Sequence, residues 1–128
     1  MHMYDIDTMK IDIEHIMDIA RKTARKSTMK YKVSCVLVDK RGRVVATGYN
    51  HRCTNGRCMG NHSVHAEVDA LTKVKKIPEG SNLTAFIYRL NSRAIDPCPA
   101  CEKLLKAYGI ENVFCTHETH IKKIEYGI

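Results

Sequence analysis

One apolar segment constrains the fold of this chain more than any other. Residues 33–39, VSCVLVD, form a near-continuous run of apolar and mostly β-branched residues, which is typical of a buried strand. The Arg-Gly pair at 41–42 predicts a turn, and residues 43–49, RVVATGY, predict a second strand. The sequence therefore predicts a β-hairpin with a buried first strand.

Helices and strands alternate around and after this hairpin. Apolar residues at near-helical spacing predict an amphipathic helix over residues 8–28. Ser63 is the expected N-cap of a second helix, which runs from Val64 to Lys76. The remaining predicted elements are a strand at 83–90, a helix at 98–108 ended by Gly109, a strand at 110–116 and a short C-terminal helix or strand. This order predicts the α/β class, with a mixed sheet.

The length and composition favour one soluble domain. The chain has 128 residues, with no internal repeat and no linker-like stretch, so we expect a single domain over residues 1–128. No apolar stretch approaches the roughly 20 residues that span a bilayer, and the N-terminus does not resemble a secretory signal. We therefore expect a cytoplasmic protein without a membrane partner.

The cysteine content and the charge indicate metal chemistry and anionic partners. Six cysteines in a chain without a secretory signal favour metal binding or catalysis over a disulfide framework. The formal net charge is +7, which favours phosphates, nucleotides or nucleic acid as partners without choosing among them.

Two short motifs form the candidate site. His65 and Glu67 lie two residues apart in SVHAEVDAL, at the start of the second predicted helix. Cys98 and Cys101 lie in DPCPACEKLL, at the start of the third, where the helix dipole and free backbone N–H groups stabilise thiolates. One imidazole and two thiolates make three zinc ligands and leave a fourth position open, which is the arrangement of a catalytic zinc site.

Glu67 is the candidate catalytic residue. It lies too near His65 in the sequence to complete the ligand set, but it is well placed to reach a zinc-bound water, whose pKa zinc lowers toward about 7. A carboxylate there can collect a proton and deliver it to a ring nitrogen and a leaving group. The residues thus describe hydrolytic displacement of an amine at an sp² carbon. A redox interpretation of the Cys-x-x-Cys pair is weaker, since the pair comes late in the chain and no proline follows Pro99.

His65-Ala66-Glu67 followed by Pro97-Cys98-Pro99-Ala100-Cys101 resembles the signature of the zinc-dependent cytidine/deoxycytidylate deaminase superfamily. The resemblance implies a three-layer α/β/α cytidine-deaminase-like sandwich around a mixed sheet of about five strands. It also implies a zinc ion on His65, Cys98 and Cys101, with Glu67 as the proton shuttle.

The same resemblance implies a substrate pocket. TGYN, which ends the second strand, looks like the substrate loop of the family, so Asn50 would bind the sugar or base and the Ala66 backbone N–H the substrate carbonyl. Tyr88 is a candidate to flank the base, or else a core residue. The chain departs from the family pattern at His51, where a glycine often stands, and near Arg89, where a threonine is expected. These departures bear on the substrate and leave the chemistry intact.

Some cysteines lie outside these motifs. Cys53, Cys58 and His62 share one polar loop, which is either a second, structural zinc site or a loop with two free thiols. Cys35 and Cys115 fall inside predicted strands and are expected in the core.

The histidine ligand and the GYN triplet most resemble the deoxycytidylate deaminase branch, so we predict conversion of dCMP to dUMP with release of ammonia. We also expect the enzyme to be a homo-oligomer, as members of this group commonly are. The alternatives are a deaminase of tRNA or single-stranded DNA, a cytidine or deoxycytidine deaminase, and a zinc-stabilised binding module without turnover. The basic run over 21–32 suits a phosphate or a nucleic-acid strand, or else a solvated helix end.

Overall fold

A five-stranded mixed sheet forms the centre of the protein. The computed structural model describes residues 3–6, 9–52, 63–74, 83–90, 99–117 and 120–124. The elements are β1 (Met3–Ile6), β2 (Met9–Asp12), α1 (Ile13–Ala24), β3 (Val33–Val38), β4 (Val44–Tyr49), β5 (His51–Arg52), β6 (Ser63–Val64), α2 (Ala66–Thr72), β7 (Leu83–Arg89), α3 (Pro99–Ala107), β8 (Ile110–His117) and β9 (His120–Ile124). The sheet order is β4-β3-β7-β8-β9, in which β7 and β8 are parallel and the other neighbours are antiparallel.

Helices cover both faces of this sheet. Alternate residues of β3, β7 and β8 point to opposite faces, so each strand contributes to two apolar clusters. One cluster joins the sheet to α1 and the other joins it to α2 and α3. The prediction of an α/β/α sandwich around a mixed sheet of about five strands is therefore confirmed, as is the 33–49 hairpin.

The first helix is shorter than the prediction of residues 8–28. It begins after Asp12, whose carboxylate accepts a hydrogen bond of 3.2 Å from the backbone N–H of His15. This N-cap fixes the start of the helix. Met9 to Asp12 instead pair with Met3 to Ile6 in a hairpin that the sequence analysis missed. The local apolar spacing fits a helix, but pairing with a neighbouring strand determines the structure.

The second helix also starts later than predicted. Ser63 and Val64 are not its cap and first turn, because they pair with Arg52 and His51 as a two-residue strand. His65 takes the N-cap position in an extended conformation, with φ −71° and ψ 152°. The starts of α1 and α2 differ from the prediction for the same reason. In both places, residues that the local pattern assigns to a helix pair with another strand instead.

The third helix and the chain after it agree with the prediction more closely. Helix α3 ends before Gly109, which adopts φ 76° and donates its N–H to the Lys106 carbonyl oxygen at 3.0 Å. That left-handed conformation suits glycine and ends the helix as predicted. The C-terminal element is a strand, β9, antiparallel to β8. None of the helices in the described ranges is long and apolar enough to cross a membrane.

Gly48 lets β4 approach α2 more closely than a side chain would allow. A Cβ atom on Gly48 would lie 2.5 Å from the Ala66 carbonyl oxygen and would also meet the backbone nitrogen of Ala70. Both atoms belong to the helix backbone, which cannot move aside as a flexible side chain can. The absence of a side chain at Gly48 therefore sets the distance between the sheet and α2.

We predict that Gly48→Ala lowers the free energy of unfolding by about 1–3 kcal/mol, because the added methyl group pushes α2 away from β4. Chemical denaturation measures this loss, and amide hydrogen exchange should show faster exchange in α2. Gly109→Ala is the matched control, since it costs about 1–2 kcal/mol through backbone strain and leaves α2 protected. Unchanged exchange in α2 of Gly48→Ala would contradict the prediction.

Candidate active site

The N-terminus of α2 brings the first sequence motif to the edge of the sheet. His65 is exposed at the N-cap, and Glu67, in the first turn, is only 5% exposed. The β5–β6 pairing of His51 with Val64 fixes the chain immediately before His65. The histidine therefore faces the surface while the carboxylate two residues later is buried against the sheet.

His65 meets the second motif at the start of α3. Its Nδ1 atom lies 3.2 Å from the Sγ atom of Cys101, which is 3% exposed. Zinc–nitrogen bonds of about 2.0–2.1 Å and zinc–sulfur bonds of about 2.3 Å put two tetrahedral ligand atoms roughly 3.5 Å apart. The two donor atoms are therefore spaced to share one zinc ion. Cys98 lies outside the described residues, within which no set of three ligating side chains comes together.

Glu67 shares its surroundings with three thiols. Burial raises the pKa of Cys35 well above its ordinary value, and the charges of Glu67, Cys101 and Cys115 raise it further. Cys35 and Cys115 are fully buried on β3 and β8, in the core as the sequence predicts. Within the described ranges, no residue forms a hydrogen bond or an ion pair with the Glu67 carboxylate. A buried carboxylate with no such partner among these residues is a candidate for acid–base chemistry.

Asn50 lies beside this site and binds backbone groups. Its Oδ1 atom accepts a 2.9 Å hydrogen bond from the Val33 N–H, and its Nδ2 atom donates to the Tyr31 carbonyl oxygen at 2.6 Å. In the antiparallel register of His51 with Val64, the next pair of positions is Asn50 and His65. The amide therefore fixes the start of β3 at this edge, and these two contacts leave one of its N–H groups and one of its lone pairs unused.

The other two residues assigned to the pocket lie in different places. Ala66 is the first residue of α2, so its backbone N–H has no partner within the helix and is directed outward from the helix start. Tyr88 is fully buried in the cluster that packs against α1, on the other face of the sheet from Ala66. The expectation that Tyr88 flanks a base is therefore corrected to a core position. The strand is buried on both faces, so its sequence did not show which face each residue takes.

Asp69 connects the helix of the candidate site to the sheet, and no sequence motif predicted this role. Its Oδ2 atom accepts hydrogen bonds from the Tyr49 N–H at 3.1 Å and from Lys73 Nζ at 3.3 Å. Its Oδ1 atom lies 3.1 Å from His51 Nε2. Burial opposes ionisation of Asp69, but the Tyr49 N–H, His51 and Lys73 together hold its pKa below the ordinary value. Lys73 also donates to the Thr47 carbonyl oxygen at 2.9 Å. These contacts bind α2 to the end of β4.

A family match covers all the motif residues. The family described as the cytidine and deoxycytidylate deaminase zinc-binding region matches residues 10–117. The chain belongs to this deaminase family. The matched region contains His65, Glu67, Cys98 and Cys101, and its description supports zinc as the metal of the deaminase. The resemblance inferred from the two motifs is confirmed. Cys53, Cys58 and His62 lie outside the described residues, so the second zinc site stays a prediction.

Solved structures resemble this deaminase over most of its length. The dCMP deaminase from cyanophage S-TIM5 in apo form is 29% identical, with a TM-score of 0.63, and the match covers 83% of this chain and 82% of that one. For the same phage protein in complex with dCMP and dUMP, the identity is 24%, the TM-score 0.59 and the coverage 79% and 77%. A cytidine deaminase from Burkholderia pseudomallei shares the fold, with 19% identity, a TM-score of 0.70 and coverage of 89% and 92%. No curated protein matches the sequence significantly.

The contact of His51 with Asp69 predicts a pH dependence of stability. His51 Nδ1 lies 2.9 Å from the Arg52 carbonyl oxygen, so both ring nitrogens face acceptors and only the imidazolium can donate to both. Arg52 and then Asp69 raise the pKa of His51. Because the pKa is raised in the folded state, the stabilisation is complete below about 6.5, the ordinary histidine value, and is lost as the pH rises through the folded-state pKa.

We therefore predict that His51→Gln destabilises the deaminase most at about pH 6 and progressively less at higher pH. Thermal denaturation of both proteins from about pH 5.5 to about pH 9 measures the difference. Asp69→Asn is the control background, in which the same substitution should have a smaller effect with less pH dependence. An effect that grows as the pH rises would show that the neutral ring is the stabilising form.

Proposed function

We propose that this deaminase converts dCMP to dUMP by hydrolysis and releases ammonia. The observation that carries the proposal is the approach of His65 Nδ1 to Cys101 Sγ at 3.2 Å, with the buried Glu67 in the first turn of the same helix. A metal-binding pair and an acid–base group beside it are the two requirements for hydrolysing an amine from a pyrimidine ring.

The substrate assignment rests on charge and on similarity. The formal net charge of +7 favours an anionic substrate over an uncharged nucleoside. The cyanophage protein that is 29% identical to this chain is a dCMP deaminase, and it has also been solved in complex with dCMP and dUMP. Both observations favour a free nucleotide as the substrate.

His65, Cys98 and Cys101 would hold the zinc ion. The imidazole nitrogen of His65 and the thiolate sulfur of Cys101 are donor types that zinc prefers. The 3.2 Å between these two atoms suits two ligands of one zinc ion. Bound zinc supplies a Lewis acid that makes water nucleophilic at neutral pH. The protein contributes the fixed geometry, because both donors lie at the starts of packed helices.

Glu67 moves the protons of the reaction. Its carboxylate accepts a proton as the water oxygen bonds to carbon 4 of cytosine, and it delivers that proton to ring nitrogen 3. It then transfers the second water proton to the amine on carbon 4. The bond between carbon 4 and that nitrogen breaks, nitrogen 3 keeps its proton, and the products are uracil and ammonia. Burial of Glu67 excludes bulk water from these transfers.

The substrate is tested by measuring ammonia release from dCMP, CMP, deoxycytidine, cytidine and a short cytosine-containing oligonucleotide. We expect the highest kcat/KM with dCMP and loss of activity after treatment with a zinc chelator. The oligonucleotide tests the alternative substrate. A higher kcat/KM for the oligonucleotide than for dCMP, falling steeply as the salt concentration rises, would show that the chain is a nucleic-acid deaminase. A preference for the nucleosides would assign the chain to cytidine deamination.

We predict that Glu67→Gln lowers kcat by about 10²–10⁴-fold while the protein keeps its zinc, because the amide fills the same space but transfers no proton. Turnover of dCMP and metal content by elemental analysis measure the two effects. Glu14→Gln is the matched control, since Glu14 lies in the first turn of α1 on the opposite face of the sheet. Turnover by Glu67→Gln at the rate of that control would refute the proton-transfer role.

A further inference from the structure

Arg89 ends β7 with a cation that no acidic group in the described part of the chain neutralises. Among the described residues it forms no ion pair, and its Nε atom is buried without a hydrogen-bond partner. Its guanidinium lies over the ring of Tyr31, 4.3 Å from the centroid. A partly buried cation whose buried Nε donor has no partner is unfavourable unless an anion offsets its charge, so Arg89 is a candidate to bind an anionic ligand.

The strand register places Arg89 on the catalytic face. Ile87 belongs to the cluster under α2 and α3, whereas Tyr88 belongs to the cluster under α1. Because side chains alternate along a strand, Arg89 returns to the face of Ile87. It therefore shares a face of the sheet with Glu67 and Cys101.

The same register places Arg89 near the zinc-binding edge. Arg89 on β7 pairs with Val33 on β3. The N–H of Val33 in turn donates a hydrogen bond to the side chain of Asn50. Asn50 lies opposite His65 when the register of β5 and β6 is extended by one residue. The backbones of Arg89 and Asn50 are two strand spacings apart, which is roughly 10 Å. That separation is comparable to the distance between a pyrimidine ring and the 5′-phosphate of its nucleotide.

The surroundings of Arg89 are basic. Lys30 Nζ lies 5.3 Å from the centroid of the same Tyr31 ring, which is 53% exposed. The three stretches that meet at this edge, residues 27–34, 48–52 and 83–90, contain no aspartate or glutamate. An anion at Arg89 would therefore meet two cations, while the carboxylate that touches residues 48–52, Asp69, is already bound by Tyr49, His51 and Lys73.

We infer that Arg89, held against Tyr31, binds the 5′-phosphate of the cytosine nucleotide and so determines the preference for nucleotide over nucleoside. The inference rests on the proposed function for the identity of the substrate. The Tyr31 ring holds the guanidinium in place, and parallel N–H groups of an arginine match two phosphate oxygens.

The inference is tested with the zinc-bound wild type, Arg89→Gln and the control Arg41→Gln. Arg41 is an exposed arginine in the turn at the other end of β3, so its variant loses the same charge far from the site. Equilibrium binding and steady-state kinetics are measured with dCMP and with deoxycytidine. In Arg89→Gln we expect the preference for dCMP over deoxycytidine to fall about 10- to 100-fold, mainly through Kd and KM. Arg41→Gln should keep the wild-type preference.

Variants of Tyr31 separate the stacking contact from the charge. Tyr31→Phe keeps the ring and should keep the preference, whereas Tyr31→Leu should lose part of it. Thermal denaturation confirms that each variant is folded. An equal loss for both substrates in Arg89→Gln, or no loss for either, would overturn the inference. A wild type that binds dCMP no more tightly than deoxycytidine would overturn it as well. If dCMP binds through Arg89 but releases no ammonia, the proposed reaction fails and the phosphate contact stands.

Discussion

The close contact between β4 and α2 is the constraint on which the rest of the site depends. Gly48 allows the strand to lie against the helix backbone, and Asp69 fastens the helix to the end of the same strand through the Tyr49 N–H. His65 and Glu67 lie on that helix, so their positions relative to the sheet follow from this contact. Helix α3 packs beside α2 and brings Cys101 to His65. The position of α2 is thus fixed by backbone packing and by the partly buried carboxylate of Asp69, which Lys73 supports from the end of the same helix.

The buried site gathers groups that would repel one another when ionised. Glu67 and the thiols of Cys35, Cys101 and Cys115 lie near one another under α2 and α3, where like charges are costly. The proposed zinc ion would offset the charges of Cys101 and Glu67, because a divalent cation is the largest local charge in such a site and keeps its thiol ligands deprotonated.

The sequence predicted what depends on local pattern and missed what depends on contacts between distant residues. The hairpin of β3 and β4, the end of α3 at Gly109 and the meeting of His65 with Cys101 follow from periodicity, turn chemistry and motif. The start of α2 did not follow, because pairing of Val64 with His51 takes residues that could have formed its first turn. Tyr88 could not be assigned to a face from a strand buried on both sides. Asp69 has no local signature, since its partners come together only in the folded chain.

The residues proposed for catalysis and those proposed for substrate choice lie on different parts of this fold. The groups proposed to act on the amine lie in the first turns of α2 and α3, which pack on the sheet, whereas Asn50 and Arg89 lie where strands end. The two departures from the family pattern noted in the sequence, at His51 and Arg89, also fall at those ends. A residue at a strand end can change without displacing the helices, so substrate preference can alter while the chemistry is kept. The buried Nε atom of Arg89 is consistent with this division, because the proposed phosphate contact would offset the cost of burying part of the cation.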